Sequence, residues 1–218
     1  MTDQQRKEAI QAYHAATTFM DAQVGRVLES LEHLGLRENT IVVFTSDHGY
    51  HLGEHGLWKK QSLFEQSARV PMIISVPGYK EKARQTNSLS ELVDLYPTLA
   101  SLCDLPIPQH VMGTDLSPLL KKPKNSLNPI ALTQVMRVSS KSDRNRKYKG
   151  HTIRTARYRY TEWDRGEQGI ELYDHKTDPE EMHNLAGNPA KKNVQQKMEK
   201  LLNDKLDTLQ TKNLERLN

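Results

Sequence analysis

The stretch RENTIVVFTSDHGY, residues 37–50, runs from a polar connection through four apolar residues, Ile41 to Phe44, into an Asp-His-Gly cluster. The tetrad is rich in β-branched residues and does not alternate with polar ones, which is the pattern of a strand covered on both faces in a parallel sheet. Ahead of it, Ala9, Tyr13, Ala16, Met20, Val24, Val27, Leu28, Leu31 and Leu34 recur at three- and four-residue spacings. That periodicity predicts a long amphipathic helix, capped at Thr2 or Asp3 and stopped at Gly35. A helix feeding a buried strand indicates an α/β fold.

Asp47 and His48 then fall just past the carboxyl end of the strand, where open α/β sheets gather ligands. Asp offers a hard oxygen and His a neutral imidazole nitrogen, but a complete cation site takes roughly four or more ligands, so others must come from elsewhere. Gly49, Gly53 and Gly56 allow sharp turns, and Lys59 or Lys60 can present an ammonium to an oxyanion. His48, His51, His55 and Glu54 also invite a zinc reading, yet they lack the helical His-Glu-x-x-His arrangement. Composition alone equally describes a polar loop in which His51 and His55 are hydrogen-bonded structural residues.

With 218 residues, 36% of them hydrophobic, the chain has room for a domain plus a small subdomain and can bury a core. Its net charge of +4 is mild, but Arg137, Lys141, Arg144, Arg146, Lys147, Lys149, Arg154, Arg157 and Arg159 crowd one stretch. An anionic ligand or a solvated face fits that run. The single cysteine, Cys103, rules out an intrachain disulfide and reads as a core residue on a helix. No apolar stretch is long enough to span a bilayer, so no membrane association is expected.

Farther along, residues 63–69 predict a short helix and residues 70–76 (VPMIISV) a strand closed by Pro77-Gly78. SLSELVDLYPTLASLCDL gives a second apolar helical face, with a kink or fresh start at Pro97. The Pro-, Gly- and Lys-rich stretch 106–129 reads as a connector between residues 1–105 and a smaller unit, 130–218. In that unit PIALTQV, HTIRTARYRYTEW and IELYDH predict a small antiparallel sheet, the basic segment up to Gly150 a loop, and residues 189–217 a charged terminal helix.

SDHGYHLGEHGLWKK followed by ARVPMIISVPG resembles the carboxyl-terminal half of the type I sulfatases, and within them the iduronate-type branch. FMDAQVGRVLESLEHLGLRENTIVVFTSDHG, LVDLYPTLASLCDLP, ALTQVMR, GHTIRTARYRYTEW and ELYDHKTDPEEMHNLA extend the likeness in order along most of the chain. The resemblance implies an alkaline-phosphatase-like α/β fold: part of a central sheet with flanking helices, plus a small antiparallel carboxyl-terminal subdomain. It further implies a calcium ion, Ca2+, and a formylglycine nucleophile. Asp47 and His48 would be calcium ligands and Lys60 the group that contacts the sulfate. Most sulfatases carry Asn where His48 stands, and the iduronate-type branch shares the His.

A divalent ion and a lysine would stabilise the charge that develops when a sulfate ester breaks. His51 and His55 would lie beside that pocket. Gln134 and Arg137 match a substrate-side loop of the iduronate branch, where Arg137 would pair with a uronate carboxylate or be an ordinary surface arginine. The expected substrate is a sulfated glycan and the expected setting is an exported enzyme, periplasmic, secreted or lysosomal.

The family's maturation signature, Cys or Ser followed by x-Pro-x-Arg, does not occur: Cys103 precedes Asp-Leu-Pro, and Ser75-Val76-Pro77-Gly78 is followed by Tyr79. The expectation is therefore a carboxyl-terminal fragment whose partner is the missing amino-terminal half and which is inactive alone. Two rivals remain. One is a phosphoryl or phosphonyl ester hydrolase of the same fold, which a Thr or unmodified Ser nucleophile would mark. The other is a noncatalytic glycan- or nucleic-acid-binding module using Arg137 to Arg159, although no nucleic acid is expected under the leading reading.

Overall fold

The computed structural model describes residues 1–79, 84–138 and 146–215, with side chains described to residue 211. Among the basic residues singled out above, Lys141 and Arg144 lie outside the described residues. The chain divides into two compact units. One comprises residues 1–60 and 66–82; the other comprises residues 61–65 and 83–218.

The first unit opens with α1 (Asp3–His33). The Thr2 hydroxyl accepts from the Gln5 amide, and the Gln5 side chain accepts from the Thr2 amide, a reciprocal cap that satisfies two otherwise orphaned donors. Gly35, at φ 68°, turns the chain out of the helix. No residue of α1 is buried: of the apolar face anticipated from the spacing, Tyr13 stacks on Tyr50 at 4.9 Å between ring centroids and Ala9, Val24 and Leu31 are half-buried, whereas Val27 and Leu34 are each about two-thirds exposed.

Next come β1 (Val42–Thr45), a short hairpin of β2 (His51–Leu52) and β3 (Trp58–Lys59), one helical turn α2 (Glu65–Ala68), and β4 (Met72–Ser75). β1 does not enter a parallel pair here. It runs antiparallel to β4, with Val42 opposite Ser75 and Thr45 opposite Met72, and its residues are only partly buried. An apolar run without alternation reports cover on two faces and carries no information about the neighbour's direction.

In the second unit a 3-10 turn, Leu92–Asp94, leads directly into α3 (Leu95–Leu102). Pro97 sits in the first turn of α3, where its missing N–H costs nothing, so the helix starts afresh there as expected. Cys103 is exposed at the end of α3 rather than in the core, because the helix terminates before that position can turn inward. The stretch 106–129 contains α4 (Ser117–Lys121), whose Leu119 is buried. Asp94, itself buried, ties this region together by accepting from the amides of Glu91 and Thr114 and from the Asn128 side chain.

Four strands, β5 (Ala131–Val138), β6 (Lys147–Arg154), β7 (Tyr158–Trp163) and β8 (Ile170–Asp174), form one antiparallel sheet in sequence order, followed by α5 (Lys192–Glu215). The run HTIRTARYRYTEW is thus two strands with a turn at residues 155–157, and β6 begins at Lys147 inside the segment anticipated as a loop. Ile153, Tyr160 and Leu172 stand opposite one another on one face and pack against Met198 and Leu202 of α5. Each such burial contributes on the order of 2 kcal/mol. The other face carries Thr152 opposite Thr161, and Arg159 opposite Tyr173.

Candidate functional site

The residues from Ser46 to Lys60 fold as a reversal after β1 and then the β2–β3 hairpin. The Ser46 hydroxyl donates to the His48 carbonyl at 2.8 Å, and the Gly49 amide donates to the Ser67 carbonyl at 2.9 Å. A Cβ on Gly49 would stand 2.0 Å from the Gln66 carbonyl oxygen, so only glycine lets the Asp-His segment lie against the backbone of residues 66–69.

His48 Nδ1 lies 2.7 Å from the Gly49 carbonyl oxygen. A carbonyl only accepts, so Nδ1 carries the proton and Nε2 of the neutral ring presents a lone pair. That Nε2 lies 3.4 Å from Asp47 Oδ2, on side chains that are partly (His48) and largely (Asp47) exposed. Two acceptors face each other there, and a proton or a cation between them relieves the repulsion. Holding the far ring nitrogen on a carbonyl is how metal-binding histidines are oriented.

His51 is fully buried, with Nδ1 4.0 Å from Glu54 Oε2, and its ring meets that of His55 edge-on at 6.1 Å between centroids. His51 pairs across the hairpin with Lys59. His55, Lys59 and Gln61 all take the left-handed backbone conformation, at φ 55°, 71° and 75°. Such positions cost about 1–3 kcal/mol each and collect at functional segments. Lys60, exposed, lies between the last two.

Gln134 and Arg137 belong to the other unit, both exposed on β5. Their spacing of three puts them on opposite faces of the sheet: Gln134 stands opposite His151, on the face that carries Ile153 two residues on, and Arg137 stands opposite Tyr148. The structure therefore brings Asp47 and His48 together, places His51 beside Lys59 and His55, and does not put Gln134 and Arg137 on one surface.

A second cluster escaped the sequence reading. Glu65, His175 and Glu181 each offer a ligand atom within 4.8 Å of the others. Two arginines fill it. Arg159, only 2% exposed, donates to Glu181 and to Glu65, and Arg154 Nη2 donates to His175 Nδ1 at 2.8 Å. Because that His175 nitrogen accepts, Nε2 bears the proton and donates to Glu181 Oε1 at 2.7 Å. Both ring nitrogens are spent, and two carboxylates balance two guanidinium groups. Burial raises the Glu181 carboxyl, but the hydrogen bond from His175, the charge of Arg159 and the Glu65 amide outweigh it and hold the group below its usual range. The cluster is an ion network in which the carboxylates are already neutralised by arginines and His175 has no ring nitrogen free. Arg154 and Arg159 thereby leave the solvated basic run. Their signal was positional: both belong to strands whose neighbours are β-branched or aromatic.

On the opposite face, His151 is 8% exposed beside Glu162. Burial, and then the charges of Lys149 and Arg165, lower the His151 pKa, while burial raises that of Glu162.

Residues 53–208 match the family model described as N-sulphoglucosamine sulphohydrolase, C-terminal. The chain is 34% identical over 206 residues to an ulvan-active sulfatase of Formosa agariphila, covering 93% of this chain and 40% of that protein. It is 35% identical over 238 aligned residues to the iduronate 2-sulfatase of Mus musculus, covering 80% of this chain and 43% of the relative. Among solved structures it is similar to a 2-O GAG sulfatase, with a TM-score of 0.84 and 30% identity over 95% of this chain and 44% of the other. The chain thus spans about two fifths of the length of these relatives. Fold, sequence identity and family model agree, and the chain belongs to the sulfatase C-terminal family, on the alkaline-phosphatase-like fold.

Proposed function

We propose that the chain supplies the carboxyl-terminal part of a formylglycine-dependent sulfatase acting on sulfated glycans of the iduronate-2-sulfate type, with Asp47 and His48 holding calcium and Lys60 holding the sulfate. Residues 1–105 would join the parent's α/β core, and 130–218 would form its small sheet subdomain. The observation that carries this reading is the His48 ring, locked by the Gly49 carbonyl so that Nε2 and Asp47 Oδ2 converge at 3.4 Å. A divalent cation fits that pair and would supply charge stabilisation for a leaving oxygen. Calcium prefers oxygen, so Asp47 is the stronger ligand and His48 the supplementary one.

Support for the glycan substrate comes from the likeness to an iduronate 2-sulfatase and a 2-O GAG sulfatase. The rival binding module loses ground because Arg159 is buried and ion-paired, and Arg154 is largely so. The enzyme would be exported, and its nucleophile and remaining ligands would come from the amino-terminal half. No described helix is long and apolar enough to cross a membrane.

The test is a calcium titration of the 218-residue chain followed on the His48 ring resonances, with inorganic sulfate titrated against the Lys60 side chain. Calcium half-saturation is expected at about 1 mM or weaker. Asp47→Asn should abolish it, Lys60→Ala should abolish the sulfate response, and a sulfate ester should not turn over. Calcium binding that survives Asp47→Asn and His48→Ala together overturns the metal assignment, and rapid ester hydrolysis overturns the missing-nucleophile reading.

A further inference from the structure

Residues directly opposite one another in a sheet share a face, so Gln134 of β5, His151 of β6 and Glu162 of β7 form one polar row across three strands. The row lies one step beyond the apolar row of Leu132, Ile153, Tyr160 and Leu172, and all of it belongs to a single compact unit. His151 is 8% exposed and Glu162 6%. Glu162 Oε1 accepts from the Tyr160 hydroxyl at 3.0 Å. Among the described residues nothing hydrogen-bonds Glu162 Oε2 or the His151 ring. Polar groups covered to this extent normally have partners, so solvent or a ligand must supply them.

Two cations flank the row. Lys149 stands two residues before His151 on the same face, Arg165 follows β7, and the charges of both act on the His151 ring. Both are exposed, and neither has a carboxylate within ion-pair distance among the described residues. The backbone that presents Arg165 is strained. Asp164 and Arg165 take left-handed angles, φ 47° and 57°, in a turn closed by the Gly166 amide on the Trp163 carbonyl at 3.0 Å. Glycine is the usual second residue of such a turn, and backbone strain of this kind collects at functional segments. Asp164 also fastens the turn to β6: its amide donates to the Lys149 carbonyl at 2.8 Å, and its carboxylate accepts from the Lys149 amide at 2.7 Å.

We propose that this row is a second ligand site, for an anionic sugar residue of a glycan, with Lys149 and Arg165 taking its sulfate or carboxylate and Gln134, His151 and Glu162 taking its hydroxyls. The two cations oppose a metal ion here, and the Glu162 carboxylate opposes a bare oxyanion. A sugar hydroxyl needs an acceptor as well as donors, and an amide, a neutral imidazole and a carboxylate together offer both. Burial and the neighbouring cations keep the imidazole neutral. The guanidinium beside them suits the paired oxygens of a sulfate or uronate. The site uses none of Asp47, His48 and Lys60, so it stands or falls apart from their assignment.

The test is a titration of the whole 218-residue chain, carrying Asp47→Asn and Lys60→Ala, with a heparin-derived tetrasaccharide, followed on the His151 ring resonances. Saturable shifts of those resonances are expected. Lys149→Ala with Arg165→Ala should weaken binding about tenfold or more, and Gln134→Ala about threefold. All three positions are exposed, so these variants serve if Glu162→Gln fails to fold. Glu162→Gln should weaken the tetrasaccharide about threefold without weakening inorganic sulfate, because only the sugar brings hydroxyls to that carboxylate. Unmoved His151 resonances, or an affinity untouched by the Lys149 and Arg165 double variant, would overturn the site. Tripolyphosphate or a single-stranded DNA oligonucleotide binding the row as tightly as the tetrasaccharide would overturn the sugar assignment.

Discussion

Replacing Gly49 by alanine should strip the Asp-His pair from its support. The added Cβ would lie 2.0 Å from the Gln66 carbonyl oxygen, 2.9 Å from the Gln66 carbonyl carbon and 3.1 Å from the Arg69 carbonyl oxygen. All three are backbone atoms, so no side-chain rotation relieves the clash, and residues 47–50 must retreat by about 1.4 Å, from 2.0 to 3.4 Å, to reach ordinary contact. Overpacking of this kind costs about 1–3 kcal/mol. The retreat also lengthens the Gly49 amide bond to the Ser67 carbonyl, now 2.9 Å, whose net worth is about 1 kcal/mol. The sum is about 2–4 kcal/mol. Urea denaturation with an unchanged m-value should show it as a lowered midpoint, and the calcium response of His48 should vanish with it. Stability within about 0.5 kcal/mol of the parent chain, the range of ordinary surface changes, together with intact calcium binding would refute the close-approach argument.

Breaking one partner of a buried ion pair typically costs about 3–5 kcal/mol. Glu181→Gln should approach the lower end because Arg159 retains Glu65, and the double replacement of Arg159 and Glu181 by methionine should cost less than Glu181→Gln alone. Denaturation midpoints of the three proteins decide this, and equal losses would count against the network. For His151 the sign is set by its lowered pKa: the unfolded chain takes up a proton near pH 6.5 while the folded chain resists. Stability should therefore fall as pH drops below that value, and His151→Asn should flatten the slope between pH 7.5 and 5.5. An identical slope in the variant would contradict it. The open part of the apolar surface along α1, with Phe19 69%, Val27 68% and Leu34 71% exposed, should drive self-association of the isolated chain. Sedimentation at rising concentration should show it, and Phe19→Lys with Val27→Lys should suppress it; a monomer at high concentration would refute the expectation.

Local rules sufficed for the elements that carry their own signal. Thr2 and Gln5 cap α1, Gly35 ends it, Pro97 opens α3, and Asp47 and His48 follow an apolar strand, all readable from spacing and residue chemistry because helix caps, turns and periodicity depend on neighbours within a few positions. Tertiary structure alone decided that β1 runs antiparallel to β4, since an apolar run does not encode its partner's direction. It also moved Cys103 to the surface and took Arg159 out of an apparently solvated basic run into contact with Glu65 and Glu181, residues 94 and 22 positions away. Charge compensation over such separations leaves no trace in local pattern; it exists only once folding has brought Glu65 and Glu181 to Arg159.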